Sequence, residues 1–208
     1  MKKIYLALLA MLALSVAASA EVGIGIKGGL FQQSDNLKDS FAFGTTKIDN
    51  DKYFGGVELL FQDYFTQDSM LGFKLGAEAR AQLKMTDKTL NADIKNNFYS
   101  FPITLYYKYA PPCAFVNIWV GGGVTAALSK WTFDAYNPPA SSDSASNLIV
   151  YPHLNAGIEF RPTENLGFGF DLGYNFAAKT SEDFGEVPLA YQRDLSGLEG
   201  NIAVRLYF

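Results

Sequence analysis

Gly23-Ile24-Gly25-Ile26-Lys27-Gly28 has the glycine spacing of a dinucleotide-binding loop, Asp49-Asn50-Asp51 opens like a calcium-binding loop, and His153 and Cys113 are the one imidazole and the one thiol of the chain. Each of these chemistries needs a setting that the neighbouring residues do not supply. A dinucleotide loop opens a helix whose N-terminus takes the pyrophosphate, whereas no helix-forming run comes after Gly28. A calcium loop needs an oxygen ligand, a turn glycine and a bidentate carboxylate at its fifth, sixth and twelfth positions, where this chain has Tyr53, Phe54 and Leu60. One His and one Cys make neither a zinc cluster nor a disulfide framework. No catalytic residue, cofactor or metal is expected, and Cys113, between Pro112 and Ala114, reads as an unpaired thiol in a turn.

What remains is a set of charges at alternate positions. Between Leu71 and Met85 the apolar residues Leu71, Phe73, Leu75, Ala77, Ala79, Ala81, Leu83 and Met85 alternate with Lys74, Glu78, Arg80, Gln82 and Lys84. Propensity favours a helix here, but a helix would scatter the charges around its circumference, whereas a strand puts them on one face. Eight segments show this alternation. Their polar faces carry seven basic residues, Lys27, Lys74, Arg80, Lys84, Lys108, Lys179 and Arg205, and five acidic ones, Glu58, Glu78, Glu159, Asp171 and Glu199. The same faces hold His153 and many glycines, among them Gly23, Gly25 and Gly29, expected to make room for bulky neighbours such as Trp119.

The connections are long at 32–52, 86–97, 130–147 and 180–194, and short at 66–69, 110–114 and 161–165. Alternating long and short connections predict an all-β, eight-stranded antiparallel up-and-down barrel. A soluble barrel with an apolar core has the same period. Three features favour a transmembrane barrel with charges inside and apolar residues on the lipid: the even strand count, the loop asymmetry and the aromatic strand ends. Tyr64, Phe65, Tyr107, Tyr109, Phe160 and Phe208 are expected in the periplasmic girdle, and Tyr53, Phe98, Tyr99, Tyr151, Tyr174 and Phe176 in the outer one. The outer loops also carry Phe41, Phe43, Trp131, Phe133, Tyr136, Phe184 and Tyr191.

The start of the chain agrees. Met1-Lys2-Lys3, the apolar run from Ile4 to Val16 and Ala18-Ser19-Ala20 form a signal peptide, so residues 1–20 are expected to be cleaved and 21–208 to form the one barrel domain. The 208-residue chain is 49% hydrophobic, 15% aromatic and only 18% charged. Without Lys2 and Lys3, 15 basic residues face 21 acidic ones, a formal charge of −6, which argues against nucleic acid as a partner.

The last strand, Gly200-Asn201-Ile202-Ala203-Val204-Arg205-Leu206-Tyr207-Phe208, the strand Phe101-Pro102-Ile103-Thr104-Leu105-Tyr106-Tyr107-Lys108-Tyr109 and the loop pattern together resemble the small eight-stranded outer-membrane barrels of the OmpA/OmpX type, the "porin family". That resemblance covers all of 21–208. It implies integral placement in the outer membrane of a Gram-negative bacterium and contact with outer-membrane lipid and lipopolysaccharide. It also implies that Ile202, Val204, Leu206 and Phe208 are the signal read by the outer-membrane assembly machinery. Barrels resembling lipid A deacylases carry a His-x-Ser pair near the outer leaflet, but here the run is His153-Leu154-Asn155, and Asn155 is no nucleophile.

Eight strands leave an interior just wide enough for side chains to fill it. Lys27, Glu58, Lys74, Glu78, Arg80, Asp171, Glu199 and Arg205 are therefore expected to form a paired polar network in the lumen, since an unpaired charge there would cost several kcal/mol. The function expected is non-enzymatic: envelope structure, or contact with a host or surface ligand through four long extracellular loops. The alternatives are a narrow gated channel for ions or small solutes and a lipid A-modifying enzyme.

Overall fold

The computed structural model describes residues 21–33, 47–49, 52–87, 92–135, 141–176, 179–183, 190–194 and 196–208. The strands are β1 (Glu21–Gln33), β2 (Lys47–Asp49), β3 (Tyr53–Thr66), β4 (Ser69–Asp87), β5 (Ala92–Tyr109), β6 (Val116–Ala135), β7 (Ser141–Thr163), β8 (Leu166–Asn175), β9 (Lys179–Asp183), β10 (Ala190–Asp194) and β11 (Gly197–Tyr207). Eight of them close an antiparallel barrel in the order β1-β3-β4-β5-β6-β7-β8-β11, and β11 pairs back onto β1 from Gly23↔Tyr207 to Gln33↔Gly197. β2 flanks the far end of β4, and β9 and β10 form a separate hairpin. Closure leaves no unpaired edge among the barrel strands, which is what allows a sheet to cross hydrocarbon.

Side-chain parity sets the two faces. On β4, Leu71 and Leu75 are 43% and 36% exposed while Lys74, Glu78 and Arg80 are 6–7% exposed. The outward sets of the other barrel strands repeat this, from Ile24 and Ile26 on β1 to Ile202, Val204, Leu206 and Phe208 on β11. The wall is apolar outside and polar inside, the reverse of a soluble barrel, and it suits hydrocarbon as its solvent.

Several expectations need correction. The connections expected at 86–97 and 130–147 are largely strand: β4 runs to Asp87, β5 starts at Ala92, β6 runs to Ala135 and β7 starts at Ser141. Ser141–Asn147 has neither alternation nor β propensity, and it is held by its ladder to β6, from Ala135↔Ser141 to Ser129↔Asn147. Here the neighbouring strand overrides local preference. β7 has 23 residues, where about ten cross a bilayer, so the β4–β7 sheet stands well clear of the membrane.

Lys84, expected inside, is not there. A register shift between Arg80 and Leu83 reverses the parity beyond it, and the Lys84 side chain is 46% exposed. Lys179, expected on the polar face of a barrel strand, lies instead in the β9–β10 hairpin, paired with Asp194. Phe98 and Tyr151, expected in the outer girdle, are buried inside the barrel at 0% and 1% exposure, because they share the parity of Ser100 and His153. Tyr53, Tyr99, Tyr174 and Phe176 do face outward at that level, as do Phe65, Tyr107, Tyr109, Phe160 and Phe208 at the other end, whereas Tyr64, expected with them, is exposed at the barrel end but keeps the inward parity of Gln62 and pairs with the buried Met70. Trp131 and Phe133, expected in a loop, are also buried. Phe41, Phe43, Tyr136 and Phe184 lie outside the described residues, as do residues 1–20, while Tyr191 falls in β10. Cys113 is exposed in the β5–β6 turn with φ 63°.

Candidate functional site

The interior of the barrel gathers the chain's buried polar groups. Lys27, Lys74, Arg80, Lys108 and Arg205 face Glu58, Glu78, Glu159, Asp171 and Glu199, five cations against five anions, each in at least one ion pair. At the centre, Arg205 Nε donates to Glu58 Oε1 at 2.6 Å and its Nη2 donates to Asp171 Oδ2 at 2.5 Å. Lys74 Nζ lies 3.6 Å from Glu58 Oε2 and 3.7 Å from Asp171 Oδ2, and 4.2 Å from the centroid of the Trp119 ring. Trp119 Nε1 donates to Asp171 Oδ1 at 3.2 Å. Two cations thus share two anions, and the cluster is neutral.

Toward the extracellular end, Lys27 Nζ donates to Glu78 Oε1 at 2.5 Å and Ser100 Oγ to Glu78 Oε2 at 2.8 Å. Arg80 Nη2 donates to Glu199 Oε2 at 3.2 Å, which also accepts from Asn175 Nδ2 at 3.3 Å. The Arg80 guanidinium lies 3.9 Å from the Phe31 ring centroid and 5.1 Å from that of Phe98. Phe98 packs with Ala127 and Tyr151 in an apolar cluster. Toward the periplasmic end, Lys108 pairs with Glu159, which also accepts from the Tyr207 hydroxyl, while Tyr106 Oη and Lys108 Nζ both donate to Gln62 Oε1, at 2.9 and 3.3 Å. Below them Arg161 forks onto Glu21 at 2.6 and 3.1 Å and covers the Tyr207 ring at 4.2 Å.

The eight residues singled out from the sequence thus all face the lumen, in three groups: Lys27 with Glu78, Arg80 with Glu199, and Lys74, Glu58, Asp171 and Arg205 together. Sequence reasoning placed Lys108 and Glu159 on the polar faces but outside the named network, and it missed the aromatic layer and the Arg161–Glu21 clamp. His153 lies between two hydroxyls, with Thr104 Oγ1 2.8 Å from Nε2 and Thr125 Oγ1 2.9 Å from Nδ1.

Glycines decide which charges meet. Gly25 stands in register between Arg205 and Glu58, Gly56 between Lys27 and Glu78, and Gly157 between Trp119 and Asp171. Each pair crosses an intervening strand through the space a side chain would fill. Trp119, expected against the β1 glycines, instead fills the space at Gly157, because that is its neighbour in the ladder; Gly23 admits Tyr207 and Gly25 admits Glu58. A Cβ on Gly157 would lie 2.4 Å from Trp119 Nε1 and 2.5 Å from Asp171 Oδ1. Gly157→Val is therefore expected to lose about 1–3 kcal/mol by overpacking, read as a lower urea midpoint for unfolding from lipid vesicles. A midpoint equal to the parent's would contradict the packing.

Two small cavities lie in this interior. A cavity of about 20 Å³ lies between Lys27, Glu78, Tyr151 and His153, and one of about 10 Å³ between Lys108, Trp119, Glu159 and Tyr207. Each holds about one water. The arrangement can hold charge and a few waters.

A family profile described as "Outer membrane protein beta-barrel domain" matches residues 4–194. The chain belongs to that family and is an integral outer-membrane protein, its outward face in contact with membrane lipid. No curated protein matches it in sequence. Among solved structures it is similar to a major outer membrane protein from Thermus thermophilus, with a TM-score of 0.54 and 10% identity over 90% of this chain and 99% of that one. It is similar to Ail, the attachment invasion locus protein of Yersinia pestis, with a TM-score of 0.50 and 15% identity over 91% and 98%. OprG from Pseudomonas aeruginosa gives a TM-score of 0.49 and 15% identity over 91% and 96%. These likenesses concern the fold.

Proposed function

We propose that this member of the outer-membrane barrel family is a sealed, non-catalytic element of the envelope, working through structure and through contacts made where its strands project beyond the bilayer. The observation that carries this reading is the matched lumen: five cations and five anions in ion pairs, cavities the size of single waters, and an aromatic layer above them. A diffusion pore needs a hydrated path, and opening one here would separate ion pairs in a low-dielectric interior. The imidazole of His153 supports the non-catalytic side of the reading, since hydroxyls hold both its nitrogens inside the wall and away from lipid.

The ladder at β4–β7 makes the projecting part a continuation of the barrel sheet, a firm base for the connections that extend from it. The alternate outward residues Ile202, Val204, Leu206 and Phe208 on β11 fit a signal for the assembly machinery. The test is solute entry into proteoliposomes. Vesicles containing the protein are expected to swell in glycine or a pentose at the rate of protein-free vesicles, and faster swelling would overturn the sealed reading.

A further inference from the structure

At the periplasmic end, β3, the β5–β6 turn and the ends of β1 and β7 surround a cleft of about 550 Å³, a volume typical of small-ligand sites, which run from about 300 to 1,000 Å³. Its most deeply buried lining residue is Asn117, 4% exposed, which shares the inward parity of Trp119 and stands in register with Glu159. Buried side-chain amides are nearly always hydrogen-bonded. No side-chain hydrogen bond joins Asn117 to another described residue, and its amide borders the open volume of the cleft. A donor and an acceptor are thus held ready for a group that comes from outside.

The walls are of two kinds. Tyr64 and Phe115 are exposed and stand with Pro111 and Pro112 as an apolar side, and Tyr64 and Pro112 also border a neighbouring groove beside Phe65. The cleft therefore continues along the rim. Its surplus charge is negative: Arg161 is already forked onto Glu21, whereas Glu164 in the cleft and Asp68 in the β3–β4 turn have no cationic partner among the described residues. The Asp68 carbonyl accepts from Ala110 N at 2.8 Å, which places that turn against the same rim.

We propose that this cleft binds an extended peptide segment of a periplasmic protein, one in which an apolar residue stands beside a lysine or arginine. The Asn117 amide offers the donor and the acceptor that a peptide group of the ligand answers, the side formed by Tyr64, Pro112 and Phe115 takes the apolar residue, and Glu164 and Asp68 supply the complementary charge. A neutral saccharide would use the rings and the amide but leave both carboxylates unanswered, which favours the cationic peptide. The site lies at the opposite end of the barrel from the projecting sheet. It rests on the closed barrel and not on the sealed lumen, so either can fail without the other.

The test uses Cys113, the chain's one cysteine, as a reporter, because it is exposed and lines the cleft. The refolded protein in zwitterionic detergent is reacted with N-ethylmaleimide in the presence of acetyl-Lys-Leu-Lys-Leu-amide, acetyl-Glu-Leu-Glu-Leu-amide or an N-acetylglucosamine tetramer. The lysine peptide is expected to slow the reaction saturably, and less so as salt is raised; the glutamate peptide is not. Asn117→Leu is expected to weaken the lysine peptide on the order of tenfold through the lost hydrogen bonds. Glu164→Gln/Asp68→Asn is expected to abolish the preference between the two peptides, and since both carboxylates are exposed this variant is expected to fold as the parent does. Heat-modified gel mobility restricts each comparison to folded barrels. Equal slowing by both peptides, slowing by neither, or an unchanged preference in the double variant would overturn the proposal. Slowing by the saccharide alone would also overturn it, by showing a sugar site.

Discussion

Arg205→Leu is expected to cost about 3–5 kcal/mol of barrel stability, the range for removing one partner of a buried ion pair. Arg205 is 1% exposed and binds Glu58 and Asp171 through separate nitrogens. Its loss leaves two buried carboxylates with the single ammonium of Lys74, which is 3.6 and 3.7 Å away. The cost comes from the uncompensated anion, and a second substitution isolates it. Adding Asp171→Asn to Arg205→Leu restores neutrality between Glu58 and Lys74, and the double variant is expected to be more stable than Arg205→Leu alone. Urea unfolding from lipid vesicles gives both comparisons. A single variant as stable as the parent would mean that the central cluster does not hold the lumen together.

Leu75→Arg is expected to cost about 2–4 kcal/mol, the range for an arginine on the lipid face near the bilayer midplane. Leu75 is outward and in register with Leu59 and Ile103 on its two neighbours, both exposed on the same apolar wall. Its chain neighbour Lys74 carries a positive charge with no such penalty, because one step along a strand moves a side chain from lipid to lumen. Unfolding from vesicles reads the difference directly, and a Leu75→Arg variant with parental stability would reverse the face assignment.

These two residues show what is legible in the sequence. Period-two alternation places Leu75 and Lys74 on opposite faces without any coordinates, and it does the same for most of the wall. It fails where local signals outweigh it. Phe98 and Tyr151 stand near expected strand ends, which points to a girdle, although their parity with Ser100 and His153 puts them inside. Lys84 is misplaced for the opposite reason: parity carries it through the register shift after Arg80, which alternation of residue types does not mark. Ser141–Asn147 looks like a loop in isolation, and its strand conformation comes from the partner ladder.

The pairing of charges is beyond the sequence because partners are set by stagger between strands. Yet part of the signal is present. Glycines at inward positions, Gly25, Gly56 and Gly157, mark the places where side chains from the two flanking strands meet across the strand between them. With the registers known, Arg205–Glu58 and Lys27–Glu78 follow from them. The Arg161–Glu21 clamp has no such mark, since it joins the end of β7 to the start of β1 with no glycine between them.

On the proposed function, a neutral, paired lumen seals the barrel. Single-channel recording of the refolded protein in planar bilayers tests it most directly. A sealed lumen gives a silent bilayer after verified insertion of folded barrels, at either polarity and across salt concentrations. Stable, reproducible openings of the unaltered protein would contradict it, and would make the charges around Arg205 the lining of a channel.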